Sequence, residues 1–103
     1  MREASKYREY GKPRQSPRKR VLRGSVRVDT GFESLCLLWQ GRKDRNGYGR
    51  IKRDGVEVPV HWILKGDPPE GFEVDHLCRQ RSCVEPEHLE FVTRAENLRR
   101  RVM

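Results

Sequence analysis

Apolar residues along this chain come in short bursts, not in long helical stripes. Residues 34–40 read Ser-Leu-Cys-Leu-Leu-Trp-Gln, a compact run that predicts a buried strand. Residues 41–47 are polar and end on Asn46-Gly47, a strong turn signal. A strand is expected over 48–53, a tight turn at Asp54-Gly55, and a second strand through the alternating Val56-Glu57-Val58. Pro59 ends or edges that strand, because proline has no N–H for a ladder. About one helical turn is expected over 60–65 and a loop over 66–71. Residues 72–75 then read as a short strand leading into His76, residues 77–87 as a loop, and residues 88–92 as an alternating strand. Thr93 and Glu96 have capping-box spacing, which predicts a helix from about Arg94 to Arg101. The sum is an α+β domain, with strand, loop, strand and helix in order behind a β-hairpin.

Residues 1–24 break this pattern. Residues 1–23 hold nine Lys/Arg and two Asp/Glu, whereas the other eighty hold fourteen and thirteen. We read 1–24 as a basic, flexible arm, with a short helix over 3–10 an option that no apolar stripe supports, and 25–103 as the domain, its packed part starting near Val26. A cationic arm suits nucleic acid, since each phosphate contact releases condensed counterions; the alternative is a solvated arm that aids solubility. No apolar run reaches the roughly 18–20 residues that span a bilayer, and 1–6 lack the apolar stretch of a secretory signal, so no membrane partner is expected.

The chain is 37% charged and 34% hydrophobic, which leaves a thin core. Domains of this size often depend on a disulfide or a structural metal. Three cysteines fit a closed disulfide framework poorly and suggest a reducing, intracellular setting. Cys78, Cys83 and His88 lie five residues apart in one loop-and-strand unit. A structural zinc site wants four ligands, and Cys36 on the expected neighbouring strand completes a Cys3His set that uses each cysteine once. The alternative is a group of buried thiols beside a core histidine.

Asp75-His76 alone is a weak signal, as is Asn97 in the first turn of the expected helix. If the two strands pair and the helix packs back over them, the three converge. Carboxylate and amide oxygens from Asp75 and Asn97 suit Mg²⁺ or Mn²⁺. His76, with an ordinary pKa of about 6.5, is then free to take a proton from water. The helix N-terminus would favour a phosphate oxygen. The alternative for Asn97 is an exposed helical residue.

The segment Val74-Asp75-His76-Leu77-Cys78, then Cys83-Val84-Glu85-Pro86-Glu87-His88-Leu89, then Thr93 and Glu96-Asn97, resembles the HNH, or ββα-metal, endonucleases. The likeness is nearest to the His-Cys box homing enzymes and small phage HNH proteins. From His76 the offsets to Cys78, Cys83, His88 and Asn97 are +2, +7, +12 and +21. The match covers about 72–101, and more loosely 36–61, where Cys36, Gly47-Tyr48-Gly49-Arg50 and His61 resemble strands that precede the motif. The resemblance implies a ββα-metal fold with structural zinc on Cys36, Cys78, Cys83 and His88. It implies His76 as general base, Asn97 as catalytic-metal ligand with Asp75 as a second, and Arg50 at the scissile phosphate. It implies a DNA substrate, 5′-phosphate and 3′-hydroxyl products, and a phage or bacterial source, acting in the cytoplasm of a bacterial host if phage-encoded. His-Cys box enzymes do not generally carry an acid at the Asp75 position, and 60–66 looks shorter than the helix usually found there.

Lys43, Arg45, Arg50, Lys52 and Arg53 cluster on the expected hairpin around Asn46-Gly47, and a two-stranded ribbon of that kind can enter the major groove to read or track DNA. Trp39 and Trp62 read as core. Arg99-Arg100-Arg101 complements the dipole at the end of the last helix or contacts phosphate. Besides the nuclease, two readings remain: a non-catalytic zinc module that binds DNA or RNA, and a small phage accessory protein. His76 and Asn97 separate them, since a binding module has no need of that pair. Nicking and double-strand cleavage are both compatible with one site per chain; cutting both strands would need a homodimer or two visits, and a packaging or replication partner is the further option.

Overall fold

A computed structural model describes residues 16–101. The arm through residue 15, with its optional helix over 3–10, lies outside the described residues.

Residues 17–23, inside the stretch read as an arm, form helix α1 (Pro17–Arg23). The local reasons are plain. Ser16 Oγ accepts a hydrogen bond from Lys19 N at 3.2 Å, and Pro17 occupies the first turn, where its missing N–H costs nothing. Val21 is fully buried, so the helix docks into the core. Strands β1 (Ser25–Val28) and β2 (Cys36–Trp39) pair antiparallel, from Ser25 opposite Trp39 to Val28 opposite Cys36. Strand β1 has only four residues and a half-exposed pattern, so its alternation carries little signal.

Strands β3 (Arg50–Arg53) and β4 (Val56–Pro59) form the expected hairpin. Its turn needs two positive φ angles, and Asp54 at 54° and Gly55 at 81° provide them. Helix α2 (His61–Lys65) is the short turn expected after Pro59. Strands β5 (Phe72–His76) and β6 (Leu89–Thr93) pair antiparallel, with His76 opposite Leu89, and helix α3 (Arg94–Arg101) follows directly. Thr93 Oγ1 accepts from Glu96 N at 3.1 Å, the forward half of the capping box. The Glu96 carboxylate pairs with Arg99 and Arg100. The three hairpins are separate two-stranded sheets.

One core joins the first two and reaches the third through Val84 in its loop. Val21, Leu37, Trp39, Ile51, Val58, Val60 and Val84 are buried together, with Trp62, Ile63 and Leu64 packed against them. Trp39 is its largest member, and glycines line its indole. A Cβ on Gly24 would sit 2.6 Å from Trp39 Cζ3, and one on Gly41 or Gly49 would collide with the same ring. Small residues at these three points let backbone close onto the tryptophan, which supplies much of a thin core. Among the described residues no helix is long and apolar enough to cross a membrane.

Candidate active site and metal centre

The loop from Leu77 to His88 leaves β5 at His76 and rejoins β6 at Leu89, with Leu77 N donating to His88 O at 2.8 Å. Cys78 and Cys83 sit on this loop, and a 3₁₀ turn (Pro86–His88) delivers His88. The loop leans on β2 through a bridge between Cys83 and Leu38, and that strand carries Cys36. All four residues are buried, the cysteines are free, and their ligand atoms lie within 4.8 Å of one another. This is the Cys3His set expected from the sequence, and it fits zinc.

The cluster has its own supports. His88 Nδ1 faces the sulfurs, 3.5 Å from Cys36 Sγ and 3.6 Å from Cys83 Sγ. Its Nε2 bonds Ser34 Oγ at 2.7 Å, Thr30 Oγ1 lies 3.1 Å from Cys36 Sγ, and Phe32 packs edge-on against the imidazole. Such outer contacts orient ligands and set their basicity. Burial pushes the Cys83 thiol up to about 12 and raises Cys78 as well. Thiols in that setting keep their protons unless a cation compensates, and a divalent ion is such a cation.

On the other side of the loop lies an open cleft of about 660 Å³, lined by Asn46, Tyr48, Asp75, His76, Asn97 and four arginines. Asp75, His76 and Asn97 are therefore brought together, each 5–6% exposed. Strand β5 presents Asp75 and His76 at its end, and the first turn of α3 presents Asn97. Burial lowers His76 to about 4, helped by the charge of Arg81 and opposed by the Cys83 backbone and Asp75. His76 Nε2 is buried and has no hydrogen-bond partner. At neutral pH the imidazole is uncharged.

Asn97 Nδ2 donates to Glu73 Oε1 at 2.7 Å. An ionised carboxylate only accepts, so the amide must face Glu73 through its nitrogen, and its oxygen is left for a ligand. Asp75 is more heavily engaged. Its Oδ1 accepts from Arg79 at 3.1 Å and its Oδ2 from Arg100 at 2.8 Å. Arg100, held also by Glu90 and Glu96, has its pKa raised by these bonds. Each oxygen has a second lone pair, so a metal contact from Asp75 would share the carboxylate with a guanidinium or replace one.

His61 completes the neighbourhood. Its ring meets that of His76 edge-on at 4.8 Å, its Nδ1 is buried without a partner, and Tyr48 lies beside both. Burial, then the charges of His76 and Arg50, lower His61 to about 3.

The other expected site residues are spread out. Arg50 is not part of the cleft lining; its Nε lies 3.6 Å from Glu57 Oε1. The five basic residues expected around Asn46-Gly47 fall on that turn and on the strand that follows it. Lys43 and Arg45 belong to the Asn46-Gly47 turn, closed by a bridge between Lys43 and Gly49, with Asp44 Oδ1 accepting from the Asn46 and Tyr48 amides. Arg50, Lys52 and Arg53 lie on β3, where Arg53 forms a two-bond pair with Asp67. Sequence reasoning missed Glu73, Arg79, Arg81, Arg100, Ser34 and Thr30 as parts of either site. Arg79 and Arg81 carried the one usable signal, since they lie between two presumed zinc ligands and close behind His76 in sequence.

A family model described as an HNH endonuclease matches residues 60–99, from α2 into α3. That span holds Asp75, His76, Asn97 and three of the four presumed zinc ligands; Cys36 lies outside it. Protein 2.8 of Escherichia phage T7 is 36% identical over 66 residues, which are 62% of this chain and 47% of that protein. The uncharacterized gene 5.3 protein of Enterobacteria phage T3 is 38% identical over 74 residues, 61% of this chain and 73% of that protein. The chain thus spans about half the length of the T7 protein. No solved structure matches.

Proposed function

The chain belongs to the HNH endonuclease family, and on that premise we propose that it is a divalent-metal-dependent DNA endonuclease in which His76 activates water. The carrying observation is His76, buried in the lining of a cleft shared with Asn97, with Nε2 unpartnered and the imidazole pKa lowered by burial. A base must be uncharged to accept a proton, and burial secures that here.

In this reading the Cys83 backbone holds the Nδ1 proton and orients the ring. Nε2 takes a proton from water as its oxygen attacks phosphorus. The bond from phosphorus to the 3′-oxygen breaks, leaving a 5′-phosphate on one product and a 3′-hydroxyl on the other. Asn97 Oδ1, presented by Glu73, is the proposed ligand for Mg²⁺ or Mn²⁺, and Asp75 is a second, beside a guanidinium or in place of one. Such an ion would neutralise charge on the phosphate and on the departing oxygen. The arginines of the cleft supply further positive charge to the substrate. The Cys3His cluster takes no part in the chemistry; zinc there would hold the loop on which the cleft is built.

The test is cleavage of supercoiled plasmid by zinc-loaded protein with Mg²⁺ or Mn²⁺. We expect nicked or linear product, lost on chelating the catalytic ion. In His76→Ala the rate should fall by about 10²–10⁴-fold with zinc content and circular dichroism unchanged. Folded, zinc-loaded protein that cuts with neither ion would refute the nuclease reading.

A further inference from the structure

We propose that the loop between the two cysteine ligands is also a substrate clamp, in which Arg79 and Arg81 grip the sugar-phosphate backbone of DNA beside His76. This rests on the nuclease reading and adds to it the residues that hold the substrate.

Four observations converge. Both arginines line the cleft that contains His76 and Asn97. The base of the loop is rigid: Trp39 N donates to Ser82 O, Val84 N to Leu37 O, Cys83 N to Gln80 O, and Arg79 N to His76 O, all at 2.8–3.0 Å. With Cys78 and Cys83 in the metal cluster, both ends of the Arg79–Ser82 stretch are fixed. Arg79 holds a left-handed backbone, φ 63°, which costs a residue with a Cβ on the order of 1 kcal/mol and which glycine would adopt freely. A side chain kept at such a position has a use there.

The guanidiniums are also poised to accept an anion. Arg79 spends one nitrogen on Asp75 and His76 O, and its side chain is 62% exposed, so most of its donors face solvent. Arg81 donates to Asn46 O at 2.8 Å and lies over the Tyr48 ring, 5.3 Å from its centroid. That fixes its plane while leaving further N–H groups unspent, and among the described residues it has no acidic partner within ion-pair distance. It lines the same cleft as His76, so a phosphate bound to it lies in the cleft of the proposed base. Through the bond to Asn46 O, the Asn46-Gly47 turn backs the clamp. Arg100, by contrast, is engaged by three carboxylates, those of Asp75, Glu90 and Glu96, through its Nε and one terminal nitrogen. A planar fork of donors beside a hydrolytic site matches a phosphodiester.

The experiment is salt-dependent binding of a short labelled DNA duplex, in buffer without Mg²⁺ or Mn²⁺ so that nothing is cut. Arg79→Ala and Arg81→Ala should each weaken binding about tenfold near physiological salt and lower the log–log salt slope by about 1. Arg94→Ala, an exposed arginine at the start of α3 outside the cleft lining, should change affinity by less than about twofold. Arg79→Lys and Arg81→Lys keep the charge without the fork, so they should keep the slope and still bind more weakly; they also serve if an alanine variant misfolds. The clamp is overturned if the folded Arg79→Ala, Arg81→Ala double variant binds with wild-type affinity and slope. It is overturned equally if Arg94→Ala matches the loop variants, or if the lysine variants bind as tightly as wild type. Plasmid cleavage separates the two claims. Wild-type protein that binds through these arginines but never cuts retains the clamp and rejects the nuclease; protein that cuts yet binds independently of them does the reverse.

Discussion

The metal cluster and the cleft lie on opposite sides of one loop, and they are built on opposite principles. The cluster is closed: four soft or borderline donors face one another within 4.8 Å, with no room for substrate. The cleft is open, polar and positively charged, and its buried groups are incompletely satisfied. His61 and His76 each keep an unpartnered ring nitrogen, and Asn97 keeps an unspent oxygen. Satisfied buried groups stabilise a fold; unsatisfied ones cost stability and are retained where they react or bind. A domain with so thin a core tolerates such a cleft because another element holds the same loop in place.

The sharpest way to break this contrast is to remove the closed site. Structural zinc contributes apparent binding energy of about 10–16 kcal/mol, comparable with the whole stability of a small domain. Cys83→Ser, or stripping zinc with a strong chelator, should therefore abolish the cooperative thermal transition, and readdition of zinc to the stripped wild-type protein should restore it. Stripped protein that still melts cooperatively would show that the core stands without the metal.

The next effect isolates the open site. Glu73→Ala should free the Asn97 amide to rotate and raise the Mn²⁺ concentration for half-maximal nicking by about 10–100-fold. Glu73→Gln can still accept from Asn97 Nδ2 and should recover most of the loss. Equal effects from the two variants would mean that Glu73 acts through charge and not by orienting the amide.

The smallest effect is graded with pH. His61 and His76 are lowered to about 3 and about 4 in the fold, against about 6.5 unfolded. Above pH 6.5 both are neutral in either state and contribute nothing pH-dependent. As pH falls below that value the unfolded chain takes up protons that the fold refuses, so stability declines by up to about 1.4 kcal/mol per pH unit for each histidine. Denaturant midpoints should fall from pH 7 to pH 5, and His61→Gln should flatten part of that slope. Nicking, limited by neutral His76, should persist at pH 5.5 in protein that remains folded and fail toward pH 4.

What could be read from the chain follows from how distinctive its signals are. The β5–β6–α3 unit was legible because alternation, a capping Thr and fixed offsets from His76 agree with one another. The Cys3His set was legible because cysteine is rare and three of them left few ways to choose. Helix α1 was hidden, since a charged stretch with one buried valine has the composition of an arm. The ion pairs of the basic residues on β3 were not legible. Charge in sequence does not show a partner such as Asp67 fourteen residues away.

By itself, then, the sequence determined the order of elements from β2 onward, the residues able to bind zinc, and the pairing of a histidine with a helix-borne asparagine. Those are matters of residue type and local spacing, which short-range geometry converts directly into position. The tertiary structure alone decided which ordinary polar residues matter: Glu73 orienting Asn97, two arginines occupying Asp75, His61 set against His76, and Arg81 laid over Tyr48. Each of these depends on side chains meeting across separate elements or around a tight loop. A glutamate or arginine written in sequence has the same chemistry in solvent as in a cleft, and only burial and the neighbours it meets distinguish the two.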